Sequence, residues 1–245
     1  MILSQEGFLS ALIDAQLGPW SAHLAAACRP CYSLQIADLS DRSFLDLGAN
    51  RLGGWPDMPP GMPWPERGPH KFRFRYQFHD EAGAGEKRPL SFLAQIDLTT
   101  VQGVCLDLPS SGRLLFFYDA IEKPTGNLKS NEGTCAVLYD ESPIDDLVRR
   151  KPPGYLNSMI GRALGYFEPV GIKPAKILQL PPPDSMAFEH LQLGASDTKS
   201  HNELCARYEA LLGHACALSS GTIVCHVSIH KRWCHERPEP QRPLA

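Results

Sequence analysis

The chain has 245 residues, of which 43% are hydrophobic and 21% charged, with a formal net charge of -3. This profile suits one large globular domain or two small ones, and it excludes a nucleic-acid binder driven by overall positive charge. No stretch approaches the roughly 18 consecutive apolar residues of a membrane span, and residues 1–20 lack the basic start and unbroken apolar core of a secretory signal.

In chain order, Phe8, Leu9, Leu12, Ile13 and Leu17 recur at helical spacing, so a helix is expected from Gln5 to Leu17, stopped by Gly18-Pro19. A second short helix is expected from Trp20 to Cys28. Tyr32, Leu34 and Ile36 alternate with polar residues and predict a half-buried strand. Six of the 22 prolines then fall between Pro56 and Pro69. Each removes a donor and fixes φ, so this segment is neither an internal helix nor a central strand. Gly53-Gly54 permits close backbone approach. With Trp55 and Trp64 in it, the segment reads as an ordered loop packed over the core.

Phe72, Phe74, Tyr76 and Phe78 alternate with Arg73, Arg75 and Gln77, the cleanest period-two signal in the chain. Further strands are expected at Leu90 to Ile96, Arg113 to Tyr118 and Thr134 to Tyr139, the last two apolar on both faces and hence interior. A polar loop is expected from Glu122 to Gly133. Leu156 to Leu164 predicts a short helix, Ala175 to Leu180 a strand, and His201 to Leu212 a helix ended by Gly213. Strands outnumber helices and no βαβ alternation is present. The expected class is α+β with a mainly antiparallel β sheet, an N-terminal helix and a few flanking helices.

Three motifs together, in this order, carry a family resemblance. They are Arg51-Leu-Gly-Gly-Trp-Pro-Asp-Met-Pro-Pro-Gly-Met-Pro-Trp-Pro65, Pro89-Leu-Ser-Phe-Leu-Ala-Gln-Ile-Asp-Leu98 and Leu108-Pro-Ser-Ser-Gly-Arg-Leu-Leu-Phe-Phe-Tyr-Asp119. The chain resembles the YwqG-like domain family. The resemblance implies a β-rich roll in a bacterial, cytosolic protein, and it implies no activity and no catalytic residues. It divides the chain into an N-terminal helical segment (1–28), a YwqG-like domain (29–213) and a divergent tail (214–245). After His214 the sequence departs from similar proteins, as an altered reading frame or a degenerate C-terminus would produce.

The 8 cysteines lack the short, secreted setting of a disulfide framework. Cys28-Arg-Pro-Cys31 has the spacing of thiol redox motifs, but a helix precedes the pair and a strand follows it. That order is the reverse of what lowers a thiol pKa, and packing is the expected role. Cys225, His226, His230, Cys234 and His235, with Cys216, could ligate zinc, but the spacing fits no finger pattern. No metal and no cofactor are expected. Asp97, Asp107, Asp119 and Asp140 end or follow strands, where acids are usually turn formers. There is no nucleophile elbow, phosphate-cradling loop or His-Glu-x-x-His. Lys71, Arg73 and Arg75, interleaved with aromatics, resemble RNA-reading sheets, but alternation puts the aromatics in the core and the cations in water.

The function expected from these residues is a non-enzymatic, cytoplasmic protein-binding module of adaptor or toxin-neutralising type. Its candidate binding residues are Arg51, Trp55, Trp64, Gln95, Asp97 and Asp119. A protein partner is expected, with neither membrane nor nucleic acid. A small-molecule binder or hydrolase-like enzyme with a cleft near Gln95, Asp97 and Asp119 is the rival reading, and a degraded paralogue the third. Gln95 interrupts an apolar strand. It either faces a cleft or satisfies neighbouring backbone groups.

Overall fold

The computed structural model describes residues 10, 12–38, 40–68, 87–103, 108–124, 132–179, 181, 203, 206 and 207. Outside them lie the expected strand Phe72 to Phe78 with its cations, Asp107, the start of the first helix, most of the helix His201 to Leu212, and the tail with its Cys/His group. The described strands are β1 (Arg29–Ile36), β2 (Arg51–Leu52), β3 (Asp57–Met58), β4 (Glu66–Arg67), β5 (Arg88–Pro89), β6 (Ser91–Asp97), β7 (Arg113–Tyr118), β8 (Cys135–Asp140), β9 (Val148–Arg149) and β10 (Val170–Gln179). Helices occupy Ser21–Ala27 and Met159–Gly165. The class is α+β with a mainly antiparallel sheet. Among the described residues no helix is long and apolar enough to cross a membrane.

The chain divides into two units. The first takes the described residues within 1–51, 97–112 and 170–224, and the second those within 52–96, 113–169 and 225–245.

In the first unit the opening helix stops earlier than Gly18-Pro19 implies. Gln16 adopts a left-handed φ of 57°. The Gln16 amide donates to Ile13 and the Leu17 amide to Leu12. These two bonds close the helix end as a left-handed C-terminal cap does. Leu12, Leu17 and Leu24 are fully buried, whereas Ile13 stays largely exposed. β1 pairs with β10 from Arg29↔Gln179 to Ile36↔Ile172. Both strands are longer than their alternation predicts. β1 runs through Pro30, and β10 runs through Pro174, opposite Leu34. Proline's fixed φ remains compatible with extended backbone, so one ring costs a ladder donor without ending the strand.

In the second unit β6, β7 and β8 lie side by side in that order. β7 is buried along nearly its whole length. Among the described strands β8 is not interior as expected: it pairs with β7 at the end of the order, is mostly half-buried, and leaves Tyr139 exposed. Among the described residues its apolar run meets β7 alone as a strand neighbour. Met58, Trp64, Leu90, Phe92, Leu115 and Phe117 form the core, with Met62, Ala136 and Leu138 against it. Phe117 meets Trp64 and Phe92 edge-on, at ring separations of 5.4 and 5.6 Å.

The proline-rich segment contributes strands as well as loop. β3 pairs with β9, and β4 with β5. The Leu90 amide donates to Pro65, the Met62 amide to Pro59 and the Arg150 amide to Pro56. The Arg150 guanidinium donates to the Met62 carbonyl. These bonds satisfy the Pro56, Pro59, Pro65 and Met62 carbonyls.

Candidate functional site

The six candidate residues separate into interior and surface. Arg51 is 1% exposed at the start of β2. Gln95, fully buried on β6, has found a partner instead of a cleft. Its amide donates to Asp57 Oδ2 at 2.9 Å, and its carbonyl oxygen accepts the Asp57 amide at 3.0 Å. Arg149 Nε donates to Asp57 Oδ1 at 2.9 Å. Asp57 is itself fully buried. A carboxylate this deep needs both a counter-charge and hydrogen bonds, and Arg149 and Gln95 supply them. Here Gln95 locks the proline-rich loop onto β6.

Asp119 is likewise internal. Arg67 donates to Asp119 Oδ2 at 2.5 Å, and Asp119 Oδ1 accepts the Glu122 amide at 3.0 Å. Arg113 and Asp140 make a third such pair, at 2.6 Å. Trp64 is 8% exposed, and its Nε1 donates to the Leu90 carbonyl at 2.9 Å. With its polar atom satisfied and its ring in the core, Trp64 is a structural residue.

Trp55 differs. Gly53 and Gly54 both take left-handed φ, 64° and 72°. A Cβ on Gly53 would lie 2.5 Å from the Glu168 carbonyl oxygen and 2.7 Å from that of Phe167. The Gly53 amide donates to Leu93 and the Gly54 amide to Phe167. Only glycine fits so close to another backbone at this φ. That contact brings half-buried Trp55 to Tyr166, with ring centroids 6.2 Å apart.

Two exposed cations stand over the same indole: Lys151 Nζ at 5.2 Å and Arg162 Cζ at 5.8 Å. Arg162 also lies 5.9 Å from the Tyr166 ring. Burial, and then the charge of Glu168, push the Tyr166 hydroxyl above its ordinary pKa, so it remains a neutral hydrogen-bonding group.

The short helix that carries Arg162 is fixed at both ends. Ser158 Oγ accepts the Gly161 amide at 3.0 Å. At Gly165 a Cβ would strike Ser91 Oγ at 2.6 Å and Leu156 Cδ2 at 2.7 Å, so the helix end sits directly on β6. Along this stretch Met159 is 85% exposed, and Leu164 and Phe167 are exposed as well. The half-buried aromatic pair with two exposed cations over it makes a surface suited to contact.

Asp97 belongs to the first unit. Its carboxylate accepts the Thr99 amide and hydroxyl, at 2.9 and 2.8 Å, and its amide donates to Asn50 Oδ1. It lines a cleft of about 330 Å³ with Asp41, Asp46, Asn50, Phe44 and Lys173. Asp41 accepts from Ser43 and pairs with Lys173 at 2.9 Å, and these two contacts hold it far below the usual carboxylate pKa.

The described cysteines are free. Burial pushes the Cys28 thiol up to about 11 and also raises Cys31 and Cys135. That is the opposite of an activated nucleophile. No group of three metal-ligating side chains occurs among the described residues.

Sequence reasoning missed Lys151, Arg162 and Tyr166. They meet Trp55 from about a hundred residues away, and no local period marks them. The one available signal was Gly53-Gly54, whose need for a close neighbour is visible without saying which neighbour.

Residues 50–222 match the family described as Domain of unknown function (DUF1963), which is the YwqG-like family, and the chain belongs to it. The match begins at Asn50 and runs past His214 into the divergent stretch. No curated protein matches the chain.

Proposed function

We propose that this member of the DUF1963 family is a non-enzymatic protein-binding module that works in the cytoplasm through its Trp55 face. One observation carries the reading. Trp55 is held against Tyr166 by a two-glycine backbone contact, with Lys151 and Arg162 over its ring. A preorganised aromatic anchor rimmed by polar groups is the kind of residue on which protein interfaces concentrate their energy. The buried Asp57, Asp119 and Asp140 are each committed to an arginine, which leaves them poorly placed to act as acids or bases.

Affinity capture from native lysate, with wild-type and Trp55→Ala baits in parallel, tests the reading. A recurrent partner retained by the wild type and lost by the folded variant supports it. Identical retention by both baits contradicts it.

A second reading is favoured by the cleft of the first unit, where three aspartates face one lysine. Its volume sits at the small end of ligand pockets, and its charge suits a small organic cation. A panel of amines and guanidines in a thermal-shift assay tests it, because a ligand that binds only the native state raises its melting temperature. No shift at millimolar ligand removes this reading.

A further inference from the structure

We draw no further inference here: the strongest candidate, the cleft of the first unit where Asp41, Asp46 and Asp97 face Lys173, belongs to the second reading already described, and beyond that acidic cluster nothing among the described residues points to what fills it.

Discussion

Trp55 and Trp64 belong to the same proline-rich segment, yet one is a core residue and the other a surface one. Trp64 gives its indole N–H to Leu90, lies edge-on to Phe117 and is nearly sealed from solvent. Trp55 lies half-buried on Tyr166 with two cations above it. Composition cannot separate the two, because both are Trp next to Pro among Gly and Met. The separation comes from what each backbone meets. The Pro65 carbonyl accepts from Leu90, which places Trp64 beside the strand that follows, whereas Gly53 and Gly54 abut Phe167 and Glu168. What the neighbouring backbone packs against thus decides whether a tryptophan of an ordered loop ends in the core or at the surface.

The largest expected effects fall on the interior side of that comparison. Trp64→Ala removes a buried ring and leaves the Leu90 carbonyl without its donor. It should cost about 3–5 kcal/mol in urea unfolding. A cost under about 1 kcal/mol would put Trp64 on the same footing as Trp55. Asp57→Ala leaves Arg149 and Gln95 facing a void and should cost about 3 kcal/mol. Since Asp57 holds the loop between the two tryptophans, its loss should also speed proteolysis of that loop.

Gly53→Ala addresses the other side. The new methyl group meets two backbone oxygens at a left-handed φ, which should cost about 2–3 kcal/mol and move Trp55 off Tyr166. A protein with unchanged stability would mean that the two-glycine contact does not hold Trp55. Trp55→Ala itself should cost only about 1 kcal/mol, because the ring is half-buried and its loss opens the surface rather than a sealed cavity.

The smallest effect lies in the first unit and serves as a control. Asp41 titrates below its unfolded value, so its contribution is present above the carboxylate range near pH 4 and is lost as the pH falls through its lower folded pKa. Asp41→Asn should therefore flatten the acid limb of the stability curve slightly and leave partner binding unchanged. A steeper acid limb would contradict the Ser43 and Lys173 contacts.

Much of the fold was legible. β6, β7 and β8 lie where apolar runs placed them, because a strand that buries at least one face needs little beyond its own composition. Strand ends were not legible: β1 and β10 run through Pro30 and Pro174, and only the partner register reveals that one missing donor is tolerable. β8 was expected inside because an apolar run looks the same whether one or two neighbours cover it. For the site, Trp55 was visible as a large residue in a glycine-rich turn, and Gln95 as a polar interruption. What each does depended on Arg162, Tyr166 and Asp57. Lys151, Arg162 and Tyr166 reach Trp55 across the chain, and Asp57 reaches Gln95 in the same way; no period, cap or turn signal records such a meeting.

The most direct measurement pairs binding with stability on two variants. The partner captured by the wild-type bait is titrated against Trp55→Ala and Trp64→Phe chains, and the urea midpoint is measured on the same samples. The account predicts that Trp55→Ala loses about tenfold or more in affinity with a nearly unchanged midpoint, while Trp64→Phe loses stability and, below its unfolding transition, keeps its affinity. If affinity and midpoint fall together in both variants, or if Trp55→Ala binds as the wild type does, the division between a structural and a binding tryptophan is wrong.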